Sequence, residues 1–426
     1  MKDTFFKSTI ILLAGGLLTK ILGMIIKIIM TRIVGIDGIS LYMLVFPTFS
    51  LFMTISQLGL PTAISKIVSE DTHNNKNIIL SIIPITIIFN IILTLVIIII
   101  SPLLSSILND NRTYLPILSI IIVIPIDSLS NILRGYFFGK QKMIPHIISL
   151  LTEQIVRLLL IIYFIPNILY KGITITVAYL IGINMISEFL SLIVLLLFIK
   201  DKKISKKDLI PNKKEILNVF SIAIPTTTSR LIGSISYFFE PIIIISLLSN
   251  NGYSINYIIE EYGIIEGFVL PLLLMPSFLT NALSSALIPD ISKKYVRGDI
   301  LGIKRRINHV IRISIIIGII ISMLLFINPS FFLEKIYKVN KGVNYLRILI
   351  PFFIILYIQY PLESILQGLN KSKDIMKNNI IGIIIKIILI ILLSFFHIGL
   401  YNLIIAIIFN IIIITYLHYK KIKEVL

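Results

Sequence analysis

The chain has 426 residues, 57% of them hydrophobic and only 14% charged, against about 25% charged in an ordinary soluble domain; its mean hydropathy is +0.99. That composition excludes a water-soluble globular protein and points to an all-α polytopic membrane protein. The absence of cysteine removes disulfides and thiolate metal sites, the five histidines show no ligand spacing, and topology explains the net charge of +18 better than nucleic-acid binding does.

Apolar runs between polar breaks predict about twelve transmembrane helices, in chain order 8–31, 39–67, 78–101, 114–137, 144–165, 173–199, 217–248, 263–289, 307–327, 345–367, 379–396 and 400–418. The start "MKDTFFKSTIILLAGG" is basic but has no small-residue cleavage site, so it reads as a retained first span rather than a removed signal peptide. The second, seventh and eighth runs exceed the roughly 20 residues a span needs, so tilt or bends are expected. Pro47, Pro61, Pro271 and Pro276 lie in these long runs and are the candidate hinges, because proline removes a helical hydrogen bond.

Lysine and arginine set the orientation. One set of alternating connections holds 26 basic residues, including seven lysines in 200–214, and the opposite set holds six: Arg32, Arg112, Lys171, Lys335, Lys338 and Lys341. Both termini are therefore expected on the cytoplasmic side. The basic stretch "KDKKISKKDLIPNKKE" then divides an N-terminal lobe, 1–199, from a C-terminal lobe, 217–426, with 200–216 as a cytoplasmic linker.

The second half reads as a copy of the first. "LTKILG" (18–23) aligns with "TSRLIG" (228–233), pairing Lys20 with Arg230 and Gly23 with Gly233. Pro47 falls over Pro271, and "ILRG" (132–135) matches "ILQG" (365–368), an offset that sets Glu153 over Lys386. Six spans per copy is an even number, so the copies share an orientation. They are expected to be related by a pseudo-twofold axis along the membrane normal, bracketing a central cavity.

Seven basic residues lie inside predicted spans: Lys20, Lys27, Arg157, Arg230, Arg312, Arg347 and Lys386. A charge at mid-bilayer costs on the order of 2.5–3.5 kcal/mol and so marks function unless it can snorkel. Lys20 is about twelve residues from either end of its helix, roughly 18 Å, farther than its side chain reaches. Arg230 is in the same position, whereas Lys27 lies close enough to Arg32 to snorkel. Lys20 and Lys27 are seven apart and share a face with Gly16 and Gly23; Arg230 stands seven residues before Tyr237. Lys20, Lys27 and Arg230 are the candidate cavity cations, suited to an anionic substrate and, for arginine, to phosphate. Glu153 and Arg157, four apart, read equally as a self-compensating ion pair or a functional one. Glu188 and Glu266 are candidate charge partners or coupling groups, together with Lys386; Asp127, Glu240 and Glu363 also lie within spans, the last two near helix ends or prolines.

Two stretches, "GISLYMLVFPTFSLFMTISQLGLPTAISKIVSE" (38–70) and "LRGYFFGKQKMIPHIISLLTEQIVR" (133–157), resemble the stage V sporulation protein B family. These are polysaccharide-transporter-type members of the multidrug/oligosaccharidyl-lipid/polysaccharide exporter superfamily, related to MurJ-type lipid II flippases. The resemblance covers nearly the whole chain, with Arg134, Gly135 and Gly139 forming its motif turn. It implies two six-helix lobes in a V around a central cavity, and movement of polyprenyl-pyrophosphate-linked saccharides or peptidoglycan precursors across a bacterial cytoplasmic membrane. Many relatives have fourteen spans, so the tail groove that the last two helices supply in MurJ-type relatives is not expected here.

The resulting expectation is a monomeric flippase, not an enzyme, with an anionic lipid-linked oligosaccharide or lipid II-like substrate. It needs no cofactor beyond coupling to membrane potential or a monovalent cation. A cation-coupled drug antiporter of the same superfamily is the first alternative, although it would want an acid-dominated cavity. A non-transporting envelope-assembly scaffold is a second. A membrane glycan polymerase is a third, for which the outer loops offer only Glu260, Glu261 and Glu334 as acids.

Overall fold

A computed structural model describes residues 2–70, 75–199 and 213–426. The linker expected at 200–216 lies outside the described residues over 200–212. Among the described residues every regular element is helical.

The first two predicted runs share one long element, α1 (Lys2–Gln57), which breaks at Gly35. Its φ of 68° and ψ of −168° lie in a region open essentially to glycine alone. The second run does not continue as one helix to residue 67. Leu58 and Gly59 take left-handed φ values of 48° and 64°, and α2 (Leu60–Ser69) restarts with Pro61 in its first turn, where a missing N–H costs nothing.

The third run is α3 (Asn75–Ile107). The fourth divides into α4 (Tyr114–Ser119) and α5 (Ile124–Gly139), with a bend of 43° where Pro125 opens α5. Next come α6 (Met143–Ile168), α7 (Ile173–Leu197) and α8 (Lys213–Asn250). The eighth run is the most broken: α9 (Ile255–Ile264) leads into a π-helical turn, Ile265–Val269, then α10 (Leu270–Leu274) and α11 (Ser277–Val296). The last part holds α12 (Ile300–Ile327), the short α13 (Pro329–Tyr337), α14 (Val343–Gly368), α15 (Ser372–Ser394) and α16 (Tyr401–Val425).

Eight of these helices are long and apolar enough to cross a membrane, and the bent pair 111–122 and 124–139 makes a ninth. The three remaining predicted runs fall on the two arms of α1 and on the broken stretch through α10 and α11. Large apolar side chains stand exposed along α3 at Ile88, Ile91, Leu95, Ile99 and Leu103. That helical stripe has no use in water and fits lipid contact.

The chain packs as two compact units, Met1–Phe239 and Glu240–Leu426, so the division falls within α8. The core of the first unit joins α2, α5 and the start of α8 through Leu60, Ile64, Ile132, Phe137, Val219 and Ala223. Glycine makes this packing close. A Cβ on Gly135 would stand 2.5 Å from the Pro61 carbonyl oxygen, and one on Gly139 2.6 Å from that of Ser65. In the second unit Leu287 and Ile291 of α11 pack with Leu362 and Ile365 of α14. There Gly368, the repeat counterpart of Gly135, would meet the Ile288 carbonyl at 3.0 Å. The matched glycines therefore do the same work, each letting one helix lie on the backbone of another.

Candidate functional site

The charged residues of α5, α6 and α7 converge inside the first unit. Arg134 of α5 donates from Nη2 to Glu153 Oε2 of α6 at 2.9 Å and to Glu188 Oε2 of α7 at 3.1 Å. Its Nη1 reaches Glu188 Oε1 at 3.3 Å, and Nη2 also donates to Ser191 Oγ at 2.8 Å. Arg157 Nη2 closes the other side of Glu153, on Oε1 at 2.5 Å. Arg134, Glu153 and Glu188 are buried, with side chains 8%, 8% and 5% exposed. Removing charges from water costs several kcal/mol each, so such a cluster persists only where each charge finds an oriented partner.

A cavity of about 310 Å³ opens on this cluster, lined by Asp127, Glu153, Arg157 and Glu188 and, from α1, by Tyr42, Phe46, Thr54 and Gln57. Gln57 Nε2 donates to Asp127 Oδ2 at 3.0 Å, tying the end of α1 to α5. Three carboxyl groups thus gather around two guanidinium groups.

The predicted cations Lys20, Lys27 and Arg230 stand on α1 and α8, outside the residues that line this cavity. Gly15 lies against Ile147, and a Cβ on Gly23 would be 3.8 Å from Gln154 Oε1. These contacts run α1 alongside α6 in one register, which sets Lys27 level with Arg157 and Lys20 a turn below Gly23. On α8, Ser234 Oγ meets Thr54 Oγ1 at 2.9 Å and the Tyr237 ring meets Phe46 at 6.4 Å. Arg230 stands four residues before Ser234 and seven before Tyr237, so it shares the face of α8 that meets α1. Lys20 and Arg230 are exposed, and neither makes an ion pair among the described residues. Gly16 and Gly233, their neighbours on these helices, have open space where a Cβ would stand.

Other predicted residues lie elsewhere. Lys386 of α15 pairs with Glu240 of α8 through Nζ and Oε2, 2.6 Å apart, inside the second unit. Glu266 sits on the π-helical turn, a local irregularity frequent at functional sites. Pro47 lies inside α1 without interrupting it, while Pro61, Pro271 and Pro276 sit at the starts of α2, α10 and α11. At one end of the second unit Lys341 pairs with Glu260, and that hydrogen bond holds its ammonium above the ordinary lysine range.

Sequence reasoning misplaced one residue. Arg134, counted with the basic connections, is inside α5 and 6% exposed, because three acidic or hydroxyl partners compensate its burial. Glu240, placed within a span near Pro241, does lie inside α8, where it is buried with Lys386. The available signal for Arg134 was its spacing of seven from Asp127, which aligns both on one face of α5. Among the described residues no group of three or more histidine, cysteine or acidic side chains is arranged to hold a metal ion.

An all-helical, multi-pass chain with a compensated charge cluster inside its membrane helices has the build of a membrane transporter. In fold, the chain superposes on an inward-facing multidrug resistance MATE family transporter of the MOP superfamily with a TM-score of 0.73, at 15% identity, over 96% of this chain and 95% of that one. It belongs to the polysaccharide biosynthesis protein family, which it matches over residues 5–294; the MatE family matches residues 266–392. It is 34% identical to stage V sporulation protein B of Bacillus subtilis (strain 168), an alignment spanning 100% of this chain and 85% of that protein. It is 25% identical to the lipid II flippase MurJ of the same organism, over 91% and 77%.

Proposed function

We propose that this protein is a flippase that carries a polyprenyl-pyrophosphate-linked saccharide or peptidoglycan precursor across a bacterial cytoplasmic membrane, by alternating access and without covalent chemistry. Lys20, Lys27 and Arg230 receive the pyrophosphate while the lipid tail stays in the bilayer. Both termini are cytoplasmic, the lobes are 1–199 and 217–426, and Pro47, Pro61, Pro271 and Pro276 are the points of bending. The substrate must bind the two access states unequally to bias them, and the anionic headgroup supplies that difference.

One observation carries the reading. Arg134, Arg157 and Lys386 are each held by a carboxylate, whereas Lys20 and Arg230 are exposed without an ion pair among the described residues. Intramembrane cations kept ready in this way suit an anionic ligand. The surplus of carboxyl over guanidinium groups around Arg134 supports coupling to a monovalent cation or to the membrane potential, with Glu153, Arg157 and Glu188 as the coupling cluster and Glu266 and Lys386 as its counterparts in the second half.

The test is reconstitution into vesicles, following outer-leaflet appearance of labelled lipid II against a sugar-only lipid carrier. A Lys20→Ala, Arg230→Ala double variant that inserts normally is expected to lose at least about tenfold in rate, since charge-assisted contacts are worth roughly 1.5–3 kcal/mol each. Unchanged transport would overturn the site, and a scaffold would be indifferent to the change.

A further inference from the structure

A second cavity in the first unit, about 410 Å³, lies on the far side of Arg134 from the charge cluster. Its polar lining is basic or neutral: Lys66 of α2, Arg134 and Asn131 of α5, and His146 of α6, with the Thr62 and Ser65 hydroxyls. No carboxylate lines it. Pro61, Phe138 and Leu150 form an apolar wall.

Three observations make this a built anion site. Arg134 is more than nine-tenths buried, and its Nε has no hydrogen-bond partner although both terminal nitrogens are engaged. His146 Nδ1 is likewise buried without a partner. His146 stands in the first turn of the 26-residue α6, whose N-cap, Lys142, makes no side-chain capping bond. The start of α6, where the helix dipole is positive, thus reaches the lining through His146. A cavity lined by a lysine, a buried guanidinium and a histidine at a helix start, and by no carboxylate, suits an anion.

The wall decides the kind of anion. Free phosphate has no use for Phe138, Leu150 and Pro61, whereas a lipid sets its phosphate beside an apolar chain. Basic pockets between membrane helices hold anionic headgroups in this manner. We infer that this cavity, lined by Arg134 and Gly135 of the motif turn, binds the phosphate of an anionic phospholipid. Gly135 lets α5 lie directly on Pro61 of α2, which also lines it. Arg134 then joins the lipid site to the Glu153–Glu188 cluster, so the bound headgroup stiffens the wall of the first cavity. This inference does not rest on the flippase reading: it concerns binding alone, and the two fail separately.

The full chain, purified in neutral detergent, would be titrated with short-chain phosphatidylglycerol, short-chain phosphatidylcholine and inorganic phosphate, with binding read from ligand-dependent shifts in the unfolding midpoint. Wild type is expected to bind phosphatidylglycerol saturably, and the Lys66→Gln, His146→Gln double variant to weaken that binding at least about tenfold. Lys140→Gln, on the same turn but outside the cavity lining, should bind as wild type does. Equal binding by the double variant, an equal loss in Lys140→Gln, or inorganic phosphate competing as well as the lipid would each overturn the proposal. If the double variant melts early in phosphatidylcholine, Lys66→Gln alone, at an exposed side chain, is read by the same criteria.

Discussion

Glu153 is gripped from two sides, by Arg134 on one oxygen and Arg157 on the other, so its carboxylate neutralises two cations that a membrane interior would otherwise reject. Glu153→Gln keeps the shape and removes the charge. It leaves Arg134 with Glu188 alone and Arg157 with no carboxylate, and breaking a buried pair in this way costs roughly 3–5 kcal/mol. Thermal or denaturant unfolding of the purified protein should show that loss. Arg157→Met should cost clearly less, because its side chain is 23% exposed and Glu153 retains Arg134. Equal losses in the two variants would mean that Arg157, rather than Glu153, organises the cluster. The i, i+4 pair was legible in the sequence because one helix turn sets it. The contacts of Arg134 were not, since it lies 19 residues from Glu153 and 54 from Glu188 and meets them through the packing of three helices, and spacing along a chain reports only neighbours on the same helix.

At the level of elements, glycine marks where helices break and where they touch. Gly35 breaks α1 at a backbone conformation closed to other residues, and nothing stands within 4 Å of a Cβ placed there. Gly35→Ala should therefore destabilise by about 1–3 kcal/mol through backbone strain alone, and Gly35→Val by no less. Gly135→Ala fails for another reason. Its Cβ would press at 2.5 Å on a carbonyl oxygen of α2, backbone that cannot rotate aside, so overpacking of roughly 1–3 kcal/mol is expected. Unfolding midpoints measured for both variants test the distinction: a cavity-creating Ile64→Val on the facing helix α2 should partly relieve Gly135→Ala and leave Gly35→Ala unchanged. The helices themselves were plain in the sequence, since all twelve apolar runs fall on helix. Their interruptions were less so: the left-handed pair Leu58 and Gly59 divides a run that hydropathy alone reads as continuous. Hydropathy measures transfer into lipid, and it is blind to backbone dihedrals.

Across the whole molecule, the bias of basic residues carries the argument for orientation. A connection rich in lysine and arginine resists translocation, and the bias is 26 against six here. Burial of Arg134 removes one residue from the larger set without changing the sign. The proposed duplication predicts the same orientation for both halves, and within its own unit each of Gly135 and Gly368 lets one helix lie on another and precedes a basic turn. The chain has no cysteine, and single cysteines can therefore be placed and read without background. Asn111→Cys and Asn340→Cys lie at exposed positions of the sparse set, Lys142→Cys and Lys373→Cys at exposed positions of the rich set. In intact cells a membrane-impermeant maleimide should label the first two and spare the second pair, and inverted vesicles should reverse the pattern. Labelling of Asn340→Cys together with Lys142→Cys in intact cells would mean that the halves run in opposite directions. An even number of spans per copy would then be wrong, and with it the inference that Lys20 and Arg230 descend from one ancestral position on a shared axis.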